Sequence, residues 1–187
     1  MRPVLILLTE GFADWETSLI SAPGRAWFGV DVRLTSPDGG NVTSMGGLTA
    51  CNLAPFQPQG DEVIVICGGT IWETAAAPDI SNQLKAAHDR GQTVAAICGG
   101  TLALARAGLL QDVAHTSNSV EFLKGHVPAY AGEAHYQTSP RAIEDRGIIS
   151  APGTAPASFA ALVLAAAGLS AADLQQLQGA LAAEHLS

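Results

Sequence analysis

The sequence predicts an α/β fold in three layers, a mostly parallel sheet with helices on both faces. Three observations lead there. Five short apolar runs recur along the 187 residues, each apolar enough for a strand buried on both sides. Helical patterns lie between them, and strands that alternate with helices imply parallel pairing. The length also suffices to cover such a sheet on both faces as one domain, expected over residues 1–187, without disulfides or metals.

The first strand is expected at Val4 to Leu8, ended by Glu10, a run too short for a signal peptide or membrane span. Asp14 to Phe28 reads as a helix with Trp15, Leu19, Ile20, Pro23 and Trp27 along one stripe and Gly29 as C-cap; Pro23 is expected to kink or split it. Val30 to Thr35 is the second strand. Ser36 to Leu53, with Asp38-Gly39-Gly40 and Gly46-Gly47, reads as a hairpin or paired short strands outside the main alternation. Val63 to Ile66 is the third core strand, and Asp79 to Arg90 a helix ended by Gly91. Val94 to Ile97 runs into a helix opened by Cys98-Gly99-Gly100, and Ile148 to Ser150 completes the set of strands. From Pro156 a helix carries Phe159, Leu162, Val163 and Ala166 on one face and closes at Gly168. Ser170 with Asp173 opens the last helix, whose Leu174, Leu177 and Leu181 mark it as a packing element.

A net charge of −8 argues against nucleic acid or an anionic membrane as partner, since both demand basic patches. Cys51, Cys67 and Cys98 are an odd number without framework spacing, which points to a reducing compartment, by default the cytoplasm. The Ala-rich run from Phe159 to Ala167 is too short to span a bilayer. There is no internal repeat and no low-complexity tract.

Cys98 carries the most information. A strand that feeds abruptly into a helix forces a sharp turn, and the small residues after it let the turning side chain stand exposed at the carboxyl edge of the sheet. A helix N-terminus there would favour a thiolate, so the thiol pKa is expected to fall. The alternative is a buried structural cysteine. Three acids follow the first strand at the same edge. Asp14 is a natural N-cap and Glu10 is expected to face water, which leaves Glu16 without a cheaper explanation than a place beside the thiol. A charged carboxylate there would oppose a thiolate, whereas a protonated one would donate a hydrogen bond to it. The turn Cys67-Gly68-Gly69-Thr70 lies at the same edge, and the amides of Gly69 and Gly99 are candidate oxyanion donors. Cys67 reads as structural. Trp72 either lines the pocket or packs in the core. His88 and His185 are expected to be solvated, and His115, His126 and His135 lack metal-ligand spacing, so neither metal nor cofactor is expected.

These residues together resemble the ThiJ/PfpI superfamily, the group that contains the parkinsonism-associated deglycase and shares its fold with class I glutamine amidotransferase domains. The likeness rests on Phe12-Ala13-Asp14-Trp15-Glu16, Gly68-Gly69, Ala96-Ile97-Cys98-Gly99-Gly100, and Ser150-Ala151-Pro152-Gly153-Thr154-Ala155-Pro156. It implies a flavodoxin-like sandwich, Cys98 as the reactive cysteine in a nucleophile elbow, Glu16 as its protonated partner, Gly69 and Gly99 as oxyanion donors, and a homodimer.

The departures narrow the chemistry. Members with deglycase or glyoxalase activity carry a histidine after the elbow helix, where His115-Thr116-Ser117-Asn118 appears here with Asn118 in that place. In an extended segment His115 and Asn118 point to opposite sides, so at most one faces Cys98. PfpI-type peptidases place histidine directly after the nucleophile, where this chain has Gly99, and neither His126 nor His135 has the acid two residues on that an amidotransferase triad needs. Two functions are expected from this: a cysteine-dependent hydrolase or glyoxalase-like lyase acting on small reactive carbonyl or amide-like electrophiles, in stress protection, or a redox-responsive protein in which an oxidant converts Cys98 to sulfenic or sulfinic acid.

Overall fold

The computed structural model describes residues 1–183. In chain order its elements are β1 (Val4–Leu7), α1 (Asp14–Ala26), β2 (Val32–Ser36), β3 (Gly40–Thr43), β4 (Thr49–Pro55), β5 (Val63–Ile66), α2 (Ser81–Asp89), β6 (Val94–Ile97), α3 (Thr101–Arg106), α4 (Val120–His126), β7 (Ile143–Asp145), β8 (Ile148–Ala151), α5 (Pro156–Ala166) and α6 (Ala171–Ala182). The strands form one sheet in the order β3-β4-β2-β1-β5-β6-β8-β7. Its centre is parallel, and only the outer pairs β3–β4 and β7–β8 run antiparallel.

Side-chain alternation divides the core into two layers. Val4 and Ile6 of β1 pack on the α1 and α5 side with Ile20, Phe159 and Val163, and Leu177 of α6 joins them. Leu5 and Leu7 face the other way, toward Leu84 of α2, Leu102 of α3 and Leu123 of α4. This is why β1, β5, β6 and β8 are buried at every residue and read as continuous apolar runs. No helix among the described residues is long and apolar enough to cross a membrane.

Several boundaries depart from expectation. Pro23 does not split α1, which is continuous from Asp14 to Ala26. So close to the C-terminus the missing N–H costs a single bond. Trp15 and Trp27, expected on the buried stripe, are instead exposed. Helix α2 begins at Ser81, and Asp79 accepts the Ser81 N–H from outside it (3.1 Å). Strand β7 and helix α4 have no counterpart among the elements expected from the sequence. The first has only Ile143 as an apolar residue, and the second is a seven-residue helix whose start is marked by Ser119, the acceptor of the Phe122 N–H. His185 lies outside the described residues.

Candidate active site

Parallel strands β1, β5, β6 and β8 end at one edge, and the segments that follow them converge there. Cys98 stands at the turn from β6 into a single 3-10 turn, Cys98–Gly100, which leads into α3. Its φ is +55°, a left-handed conformation that a side chain other than glycine rarely adopts. Such strain costs about 1–3 kcal/mol and holds the thiol half-exposed rather than folded into the sheet. The Thr101 hydroxyl fastens the turn by donating to the Cys98 carbonyl (2.6 Å). The glycines are required by close approach. A Cβ on Gly99 would lie 2.7 Å from the Gly69 carbonyl oxygen, and one on Gly100 2.7 Å from that of Ile66.

Glu16 lies in the first turn of α1 and is completely buried. Its Oε2 accepts the Gly68 N–H (2.7 Å), while Oε1 has no hydrogen-bond partner. A Cβ at Gly68 would strike both Glu16 and Cys98, so only glycine lets the carboxyl and the sulfur-bearing side chain meet there. The other two acids are occupied. Glu10 accepts the Thr43 N–H (3.0 Å) and Asp14 that of Gly46 (2.8 Å), so both tie the β3–β4 hairpin to the edge of the sheet. Asp14 is therefore the first residue of α1 and not its N-cap, which is Ala13.

Asn118 is the residue of the segment after α3 that reaches the sulfur. Its Nδ2 donates to Cys98 Sγ (3.4 Å) and its Oδ1 accepts the Gly153 N–H (3.0 Å). Gly153 closes the ring, since a Cβ there would lie 2.9 Å from Sγ and 3.4 Å from Glu16 Oε1. Its carbonyl accepts the indole N–H of Trp15 (3.1 Å). No local signal in the sequence assigns Gly153 or Trp15 to the site. Gly153 falls within the stretch before α5 that contributes to the family likeness, but nothing local to it says that the loop folds back onto the sulfur.

Two expected pocket residues are elsewhere. His115 is fully buried; its Nδ1 lies 2.8 Å from the Val113 carbonyl and its Nε2 2.6 Å from the Tyr130 hydroxyl. A carbonyl only accepts, so Nδ1 carries the proton and Nε2 accepts from Tyr130. Burial holds this imidazole below its ordinary pKa, and it is a neutral core residue rather than a base at Cys98. Tyr130→Phe would strip that nitrogen of its partner, with an expected loss of about 1–3 kcal/mol in urea unfolding. Trp72 is also fully buried, in the core with Leu7 and Leu102, and its indole donates to the Cys67 carbonyl (3.0 Å). It supports the Gly68-Gly69 turn from behind as a core residue.

The thiol pKa moves opposite to expectation. Burial, and then the negative charge of Glu16, push Cys98 up to about 11, against the opposing pull of the Asn118 amide and the Gly99 N–H. The helical turn at Cys98 is too short to supply a dipole that outweighs desolvation. Glu16 is itself raised to about 7, chiefly by burial, with the Cys98 thiol and the Gly68 N–H lowering it in part. The carboxyl is therefore the first of the two to lose its proton as pH rises, near neutrality, and the thiol keeps its own well above it. Cys67, wholly buried, is driven higher still by desolvation, which fits a structural thiol. Asn118→Ala removes a donor that favours the thiolate. Alkylation of Cys98 by iodoacetamide at about pH 8 is expected to slow by about threefold.

A family model described as DJ-1/PfpI family matches residues 2–166. The uncharacterized protease YoaZ of Bacillus subtilis (strain 168) is 34% identical over 174 residues, covering 87% of this chain and 82% of that protein. Among solved structures, a DJ-1 superfamily protein from Agrobacterium tumefaciens is 41% identical with a TM-score of 0.92 over 99% of this chain and 100% of that one. A thiJ/pfpI family protein from Bacillus anthracis is 28% identical with a TM-score of 0.86, over 95% and 89%.

Proposed function

This chain belongs to the DJ-1/PfpI family, and from that premise we propose that Cys98 is a nucleophile toward small reactive carbonyl compounds, with Glu16 as its proton carrier. The observation that carries this is the buried carboxyl of Glu16, raised to about 7, with an unpartnered oxygen in the cluster that holds Cys98. A carboxyl that titrates near neutrality is matched to accept and return a proton at working pH. Cys98 Sγ bonds to the carbonyl carbon, the π electrons move to oxygen, and the thiol proton passes to Glu16. Glu16 then returns that proton to the alkoxide, which gives a neutral hemithioacetal. The amides of Gly69 and Gly99 stabilise the oxyanion in between. For a 2-oxoaldehyde, Glu16 then moves the C1 proton to C2 through an enediol, which leaves a thioester on Cys98, and water hydrolyses that thioester to the 2-hydroxy acid and frees the thiol. No histidine is needed, and His115, bonded at both nitrogens, supplies none. YoaZ is named an uncharacterized protease, but Gly99 stands where PfpI-type peptidases have their histidine, so peptide hydrolysis forms no part of this proposal. A homodimer and a role in protection against carbonyl stress go with it, as the resemblance implies.

A second function has its own support. Asn118 Nδ2 and the Gly99 N–H are directed at Sγ, and such donors would also hold a sulfinate after an oxidant has transferred oxygen to the sulfur. Two measurements separate the two: turnover of methylglyoxal by wild type and Cys98→Ser, and intact mass after mild peroxide. Cysteine-dependent turnover supports the enzyme. Ready oxidation without turnover assigns the redox role, and a thiol inert in both tests overturns both.

A further inference from the structure

Resting on the carbonyl chemistry proposed above, we infer that Trp15 is a specificity-determining residue that selects uncharged carbonyl compounds bearing an apolar or aromatic substituent. Trp15 is 50% exposed, on a helix whose neighbouring Glu16 is completely buried. A large aromatic ring left half in water at the start of a packed helix has no role in the core. Its indole N–H is nonetheless fixed, donating to the Gly153 carbonyl (3.1 Å). A Cβ on Gly153 would lie 2.9 Å from Sγ, so the indole is tied to the segment that borders the reacting atom.

The remaining surroundings of the sulfur favour the same class. The groups that influence Cys98 are the carboxyl of Glu16, the amide of Asn118 and the Gly99 N–H, and none is a cation. An anionic substituent would find no counter-charge and would meet a carboxyl. An uncharged apolar group loses nothing there and gains contact with the indole, which shape and dispersion reward most for another ring. Trp15 thus acts on the part of the substrate away from the bond being made, as a wall and not as a donor of protons.

The test uses the full chain, with phenylglyoxal and methylglyoxal as paired substrates. In parallel, Cys98 is alkylated with N-phenyliodoacetamide and iodoacetamide and followed by intact mass, a measurement that needs no turnover. In wild type the phenyl member of each pair is expected to be favoured by about fivefold in kcat/KM or alkylation rate after division by its intrinsic reactivity toward a free thiol. Trp15→Ala is expected to bring both ratios to about 1, and Trp15→Phe, which keeps a ring but loses the N–H, to retain most of the preference. If Trp15→Ala slows both members of a pair equally, the indole merely fixes the Gly153 loop and the inference fails. It fails as well if wild type shows no preference. If neither glyoxal is turned over but the alkylation ratio still depends on Trp15, the proposed reaction falls while the selecting wall stands.

Discussion

Replacing Cys98 by serine is expected to reduce kcat/KM for methylglyoxal by at least about 10³-fold, with the fold intact. A serine hydroxyl is close in size to the thiol, so the left-handed turn at φ +55° and the Thr101 bond to the residue 98 carbonyl survive the exchange. What is lost is the nucleophile. A thiol raised to about 11 still gives up its proton to a carboxylate beside it as the new bond forms, whereas an alcohol is a far weaker acid and a poorer nucleophile at sulfur's place. Thermal unfolding of Cys98→Ser within a few degrees of wild type, together with lost turnover, would place the effect in the chemistry. Unchanged turnover would remove Cys98 from the reaction altogether.

Glu16→Gln is expected to have effects of opposite sign on rate and stability. Turnover should fall by about 10²- to 10⁴-fold, the usual worth of a positioned acid–base group, because an amide neither accepts nor returns the proton. Stability should rise, but only at higher pH. The Glu16 carboxyl titrates at about 7 in the folded chain against an ordinary value of 4.5, so over that interval the folded state holds a proton the unfolded state has released. Wild-type stability is therefore highest below about 4.5 and declines as pH rises to about 7, by about 3 kcal/mol for a shift of this size. Glutamine keeps an oxygen for the Gly68 N–H and never ionises, so it escapes the decline. Melting temperatures of the two proteins should nearly coincide at acidic pH and separate above neutrality with Glu16→Gln the higher. A wild type that is equally stable at pH 5 and pH 8 would show that the carboxyl is not desolvated as described.

Asn118 and His115 show where the sequence stops being informative. Both lie in one short segment, and both are residue types suited to an active site. The extended geometry permits one of them at Cys98 and cannot choose. The choice is made by Tyr130 and the Val113 carbonyl, which take both nitrogens of His115 into the core, and by Gly153, whose N–H fixes Asn118 against the sulfur. Trp15 is a similar case. Its helical position suggests a core stripe, yet the Gly153 carbonyl draws the indole outward.

The central strands, the positions of Cys98 and Glu16 at one sheet edge, and the glycine turns were determined by the sequence alone. Each follows from a local requirement: a strand covered on both faces must be apolar throughout, and a turn where a Cβ would lie within 3 Å of another stretch of backbone, as at Gly69 and Gly99, admits only glycine. Only the tertiary structure decided which polar side chain meets the sulfur and that the thiol pKa rises. Desolvation and charge act through space, summed over atoms brought together from β1, β5, β6 and β8, and no window of the chain contains that sum.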